Sequence, residues 1–247
     1  LSARRIVVAA GSYEVPLTFD RNDLPGVMLS TGTQRLMHVY GVRPGSAAVV
    51  ATCGDQGYYA AVDLLDAGVR IAALVDSRPE FPHQLDPAVA LRSRGVLILP
   101  SYALTRAEGR QKLVGATAAR FVDGRPTTEE REFDCDLVVI SGGFQPASSL
   151  LQQAGCEMAY DRMLGETVPQ RLPSDIYSAG EVTGIHDLRA SILQGQLAGL
   201  EASTSLARQP ADGTDVKGIR SELTDAVASY RNSVASPPVE LDHGAKQ

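Results

Sequence analysis

Residues 47–76 read AAVVATCGDQGYYAAVDLLDAGVRIAALVD, and the fold turns on this stretch. The apolar run Ala47 to Ala51 has the length and residue type of a strand buried on both faces. A turn follows at Thr52 to Gly54. Gln56 to Ala67 then puts Ala60, Ala61, Leu64 and Leu65 at helical spacing and stops at Gly68, a residue suited to ending a helix. A second apolar run, Val69 to Val75, ends on Asp76. Strand, turn, helix, strand and acid, in this order, are the layout of a dinucleotide-binding βαβ unit, with the acid about 20 residues beyond the glycines.

The residue types suit that chemistry. Gly54 lets backbone N–H groups approach a pyrophosphate held at the positive N-terminus of the helix, with Asp55 in the same turn, and Gly57 lets the helix lie close to the strand. Asp76 suits a ribose 2′-hydroxyl and repels a 2′-phosphate, which favours NAD over NADP; Arg78, two residues on, softens that preference. Thr52 stands where G-x-G-x-x-G expects its first glycine. An ordinary strand-to-helix turn also accounts for Gly54 and Gly57, and a solvated strand-end carboxylate also accounts for Asp76.

Composition limits the remaining choices. The 247 residues are 44% hydrophobic and 21% charged, enough for one large or two small globular domains. A formal net charge of −6 argues against a nucleic-acid partner. No run approaches the roughly 20 apolar residues that a membrane helix needs, and no signal-peptide pattern opens the sequence, so a cytoplasmic chain is expected. Cys53, Cys135 and Cys156 form no C-x-x-C pair, so no zinc or iron–sulfur site is expected. Cys135 and Cys156 read as small buried hydrophobes. Cys53 reads as structural too, although a helix N-terminus beside it would lower its pKa.

The sequence opens at Leu1 with a buried-type strand, Arg5 to Ala10, running into Gly11, and we expect a fragment, a processed product or one subunit of a split protein. Ser12 to Ser30, with Pro16, Pro25 and Gly26, reads as a loop, and Thr31 to Tyr40 as a short helix. Beyond Asp76 come a helix from about Ala88 to Arg94, a strand at Val96 to Leu99, and alternating residues from Tyr102 to Phe133 that read as antiparallel strands appended to the parallel sheet. Asp136 to Ile140 returns as a buried strand into Ser141-Gly142-Gly143, where the glycine pair reads as a tight exit from the sheet or as a direct cofactor contact. A short strand at Ile176 to Ala179 meets Gly180-Glu181, and the next helix is expected to pack Leu188, Ile192, Leu193, Leu197 and Leu200 inward, with Gly195, Ala198 and Gly199 allowing close approach to another backbone. Gly213 to Ser233 reads as a further amphipathic helix, followed by a disordered tail.

These residues carry a family resemblance. Arg5 to Met28 resembles the strand and loop closing the first half of the FAD domain in two-dinucleotide-domain flavoproteins, and Ala47 to Asp76 resembles their inserted NAD domain. Asp136 to Pro146, DLVVISGGFQP, resembles the crossing back, and Tyr177 to Glu181 resembles the second FAD motif. The phrases NDLPGVM, YGVRPGSAAVV, DLLDAGVRIAALVDSRPE and SGGFQP are similar to the large subunit of heterotetrameric sarcosine oxidase and to related subunits of opine oxidases, amino-acid dehydrogenases and hydrogen cyanide synthase. Those subunits also tend to have a degenerate glycine turn.

The resemblance implies an α/β fold of the two-dinucleotide-binding-domain flavoprotein type, a parallel sheet with helices plus an antiparallel β-meander. It implies an incomplete FAD-type domain in two parts, 1–41 and 142–235, around an NAD-type domain at 42–141; the tail with Pro237-Pro238, 236–247, is expected to be disordered on its own composition. FAD contacts would come from Gly11, Gly142, Gly143, Gly180 and Glu181, the last where most members carry Asp; the family's front βαβ unit, with its own glycine motif, has no counterpart here. Its implied function is oxidation of a secondary amine or amino acid by an oxidoreductase in which this chain is one subunit, beside a second, catalytic one. Among the four histidines, His38 reads as a surface residue and His186 as a residue that could line the flavin site; Arg189 could pair with a phosphate or sit in solvent. The competing expectation is a non-catalytic assembly module that keeps the nucleotide fold as a scaffold, and a free-standing NAD-linked reductase is a weaker third.

Overall fold

The computed structural model describes residues 2–80, 82–206 and 215–234. The expected tail at 236–247 lies outside them. Along the chain, β1 (Ile6–Val8), β2 (Ser12–Glu14) and β3 (Val27–Leu29) lead into α1 (Ser30–Tyr40). The βαβ unit follows as β4 (Ala47–Thr52), α2 (Gln56–Asp66) and β5 (Arg70–Asp76), and then come α3 (Asp86–Ser93) and β6 (Ile98–Pro100). Three longer strands, β7 (Tyr102–Gly109), β8 (Leu113–Val122) and β9 (Arg125–Asp134), precede β10 (Leu137–Ser141) and β11 (Phe144–Pro146). The remainder is α4 (Ser149–Gln153), β12 (Glu157–Asp161), β13 (Glu166–Arg171), β14 (Ile176–Ser178), α5 (Leu188–Ser205) and α6 (Val216–Ser233). Two compact units result among the described residues: one spans Glu14–Gly143, and the other joins those up to Tyr13 to those from Phe144 to Val234.

The Glu14–Gly143 unit is built on a five-stranded parallel sheet of order β3-β10-β4-β5-β6. Its central strands are apolar at successive positions because both faces are covered. Val49, Ala51, Val75, Val138 and Ile140 pack on one side against Tyr102, Leu104, Leu113, Ala116 and Ala118 of β7 and β8. Ala48, Val50, Leu74, Leu137 and Val139 pack on the other against Tyr58, Ala61 and Leu64 of α2 and Ala88 and Leu91 of α3. A register shift between Ala48 and Val49 against β5 lets Ile71 and Leu74 reach the same face despite odd spacing. Each fully buried aliphatic side chain contributes about 1.5–3 kcal/mol by leaving water.

Two expectations for this unit change. Ser12 to Ser30 is not all loop, since it holds β2 and β3, and β3 pairs in parallel with β10 at the sheet edge. Three-residue strands are too short to display a period, so only the pairing partner defines them. The strands from Tyr102 to Asp134 are antiparallel, but they form their own sheet, β7-β8-β9, stacked on the parallel sheet rather than hydrogen-bonded to it.

In the other unit β1 pairs in parallel with β14, β2 pairs with β11, and β12 and β13 form an antiparallel hairpin. Val8, Leu151, Cys156, Ile176 and Val182 make one small core. Leu164, Ile185, Ala190, Leu193 and Ala226 make another, which joins α5 to α6. On α5 the buried residues are Ala190, Leu193, Leu197, Ala198 and Ala202, whereas Leu188 and Ile192, expected inward, are 79% and 53% exposed. Both stripes have helical spacing, and the partner elements select the one rich in alanine. Gly195 and Gly199 also miss their expected role, because an added Cβ at either would meet nothing within 4 Å.

Candidate functional sites in the two units

In the Glu14–Gly143 unit, the C-terminal ends of β4 and β5 lie side by side, with Thr52 paired to Asp76. This is the edge of a parallel sheet where ligands of such folds bind. Thr52 is buried, its hydroxyl donating to the Gly54 carbonyl at 2.7 Å and accepting the Gly54 N–H at 3.1 Å. A side-chain hydrogen bond therefore closes the turn where the motif would use a glycine. Gly57 is the complement to that substitution, because a Cβ there would lie 2.4 Å from Thr52 Cβ. Gly54 faces open space, with nothing within 4 Å of an added Cβ.

Asp76 is fully buried. Its Oδ2 accepts from the Tyr58 hydroxyl at 2.7 Å and from Arg78 Nη2 at 2.9 Å, and its Oδ1 accepts the Arg78 N–H at 3.0 Å and Nε at 3.1 Å. Arg78 Nη1 also donates to Asp55 Oδ1 at 2.7 Å. Burial pushes the Tyr58 hydroxyl well above its ordinary range, and the Asp76 charge adds to the shift. Arg78 is held above its ordinary value because the bonds and charges of Asp76 and Asp55 outweigh its own burial. Asp55, Gly57, Asp76 and Arg78 thus come together, and Tyr58, which the sequence reading passed over, is the residue that fixes Asp76. No spacing rule marks Tyr58; its only signal is a hydroxyl on the packed stripe of α2, which needs a partner when buried.

Cys53 lies in the same turn, half-buried, with Sγ 3.8 Å from the Ser141 carbonyl. Its pKa is raised, chiefly by burial and then by the Asp76 charge, so the lowering expected from the helix N-terminus is overridden. Cys135 and Cys156 are buried, and burial pushes Cys135 up to about 11. Gly142 packs tightly, since an added Cβ would lie 2.4 Å from the Val15 carbonyl oxygen, while Gly143 takes φ 89°. His38, paired with Asp63 at 3.1 Å, is 61% exposed, as read from the sequence.

The other unit places Gly11, Gly180 and Glu181 near one another. Gly11 and Gly180 take φ 72° and 79° with open space where a Cβ would sit. Gly180 N–H donates to Gln194 Oε1 at 2.8 Å, and Ser12 Oγ donates to Glu181 Oε2 at 2.6 Å. Here an acid at a strand end is half exposed, unlike Asp76. His186 Nε2 sits 3.0 Å from Glu166 Oε1, and its Nδ1 lies 4.0 Å from Glu181 Oε1. Its pKa is raised: burial acts downward, but the hydrogen bond and charge of Glu166, helped by Glu181, prevail. Gln194, Ser12 and Glu166 carried no sequence signal, because each meets its partner only through tertiary contact. Arg189 is exposed and pairs with Glu222 at 3.2 Å.

Among the described residues, no group of three or more His, Cys, Asp or Glu is arranged to hold a metal ion, and no helix is long and apolar enough to cross a membrane. The donor sets suit nucleotides: open glycines at strand ends, unlike the tight Gly57, beside side chains able to bind sugar hydroxyls.

Comparison with known proteins shows the family and the fold. Residues 1–215 match the family described as pyridine nucleotide-disulphide oxidoreductase. The chain is 29% identical over 207 residues to the alpha subunit of sarcosine oxidase from Corynebacterium sp. (strain P-1), a match covering 83% of this chain and 21% of that one. It is 28% identical over 221 residues to a subunit of opine oxidase from Agrobacterium tumefaciens (strain Ach5), covering 81% of this chain and 43% of that one. The chain thus spans between about a fifth and under a half of these relatives' lengths. In fold it is similar to L-proline dehydrogenase from P. horikoshii, with a TM-score of 0.66, 20% identity, and coverage of 90% of this chain and 38% of the other.

Proposed function

The chain belongs to the pyridine nucleotide-disulphide oxidoreductase family, and from that premise we propose that it is part of an FAD- and NAD-dependent oxidoreductase of the sarcosine oxidase alpha type, acting in the oxidation of a secondary amine or amino acid. The observation that carries this reading is the pairing of Thr52 with Asp76 at adjacent strand ends, with the open Gly54 turn beside the Arg78 side chain. In this reading residues 42–141 are the NAD-type domain. Its Gly54 turn and the N-terminus of α2 receive the pyrophosphate. The segments 1–41 and 142–235 contribute to the FAD-type domain. There Gly11 and Gly180, open where a Cβ would sit, give the cofactor room and Glu181 binds its hydroxyl groups. When bound, the two cofactors supply hydride acceptance and transfer; the residues of this chain bind and orient them.

Relatives named as subunits of oxidases support a partner in the form of a second, catalytic subunit. The alternative is a scaffold role, favoured by one observation. β1 and β14 form a two-stranded parallel sheet in which Ile6 and Val7 are 47% and 45% exposed, and parallel strands are stable when covered on both faces. Calorimetric titration of the purified chain with NAD and, separately, with FAD tests the proposal. Saturable binding of NAD supports the enzyme reading; binding of neither cofactor leaves the scaffold reading.

A further inference from the structure

Asp76 cannot meet a ligand directly. It is fully buried, and Tyr58 and Arg78 engage both of its oxygens. The groups open to a ligand arriving at the end of β5 are Arg78, whose side chain is 27% exposed, and Asp55, at 51%. A guanidinium has five N–H donors. Asp76 takes Nε and Nη2, and Asp55 takes Nη1. Two donors therefore remain for a ligand. The guanidinium plane is fixed from behind by Asp76, which Tyr58 fixes in turn.

Charge decides which ligand those donors accept. One cation stands against two carboxylates, so the cluster is net negative. A vicinal diol can use the two donors without added charge, whereas a sugar phosphate would bring a dianion beside Asp55. Resting on the nucleotide-site reading above, we propose that Arg78 is the residue that contacts the adenosine ribose, that Asp55 excludes a 2′-phosphate, and that Tyr58 and Asp76 act as positioning residues behind Arg78.

The test is calorimetric titration with NAD and with NADP of the wild-type chain and of Asp55→Asn, Arg78→Lys and Asp76→Asn, with circular dichroism to confirm the fold of each. The wild type should prefer NAD. Asp55→Asn should shift the preference toward NADP by about tenfold, the effect of one charge at close range. Arg78→Lys keeps the charge but loses the planar fork, and should weaken NAD binding about tenfold while the chain stays folded. An unchanged NAD-to-NADP ratio in Asp55→Asn, or NAD binding untouched by Arg78→Lys, overturns the inference and leaves the nucleotide site standing. A folded wild type that binds neither dinucleotide removes both. Where Asp76→Asn unfolds the chain, the other two variants still decide the matter.

Discussion

His186 Nε2 lies 3.0 Å from Glu166 Oε1, so the hairpin of β12 and β13 is tied to the segment that follows Glu181. The other ring nitrogen, Nδ1, is buried and has no hydrogen-bond partner among the described residues. Phe144 and Tyr230 flank the ring, with centroids 6.0 and 6.5 Å away. Protonation would give Nδ1 a hydrogen to direct toward Glu181.

Stability in this region should therefore fall with rising pH. The His186 pKa is raised in the folded chain, so its stabilisation is fully present below the unfolded imidazole value of about 6.5 and is lost as pH rises through the raised value. The unfolding free energy of the wild type minus that of His186→Gln, followed from about pH 5.5 to 9, should shrink toward the alkaline end. A difference that stays flat or grows would refute the ion pair's contribution.

Tyr58→Phe should cost about 1–2 kcal/mol in chemical denaturation, because it removes one donor from the buried Asp76 while Arg78 still pairs with it. No loss of stability would mean that the hydroxyl bond is immaterial to the fold.

Glu14 is buried and accepts hydrogen bonds at the start of α1 from Ser30 N–H at 3.2 Å, from Thr31 N–H at 2.9 Å, and from both hydroxyls. It caps the helix from 16 residues away in sequence. Glu14→Ala should destabilise the chain by about 2–3 kcal/mol, and Glu14→Gln by less, since an amide oxygen still accepts. Equal losses would show that the charge and second acceptor oxygen of the carboxylate, not the volume of the side chain, set the effect.

The two glycines of the β4–α2 turn should respond differently. Gly57→Ala puts a Cβ 2.4 Å from Thr52 Cβ and should lower stability by about 1–3 kcal/mol. Gly54→Ala meets open space and should melt within a few degrees of the wild type, while weakening NAD binding if the turn cradles the pyrophosphate. The double variant Thr52→Gly with Gly57→Ala should recover part of the first loss, which thermal melts would reveal.

The sequence by itself determined the α/β class, the βαβ unit and the family likeness. Hydrophobic runs of Val and Ala in β4 and β10, the stripe on α2, and an acid ending β5 are local patterns that one or two elements suffice to create. It also placed the residues of both candidate sites at strand ends. Only the tertiary structure decided what those residues do. Thr52 could be read as a defect until its hydroxyl was seen to close the turn in the space that Gly57 leaves. Asp76 reads locally only as an acid at a strand end, and its enclosure by Tyr58 and Arg78 was decided by the tertiary structure. The packed stripe of α5, with Leu188 and Ile192 left outside, was likewise settled by the neighbours of that helix. The physical reason is common to all three: periodicity reports that a side chain can be buried, whereas burial, hydrogen bonding and charge pairing depend on which groups arrive from distant parts of the chain.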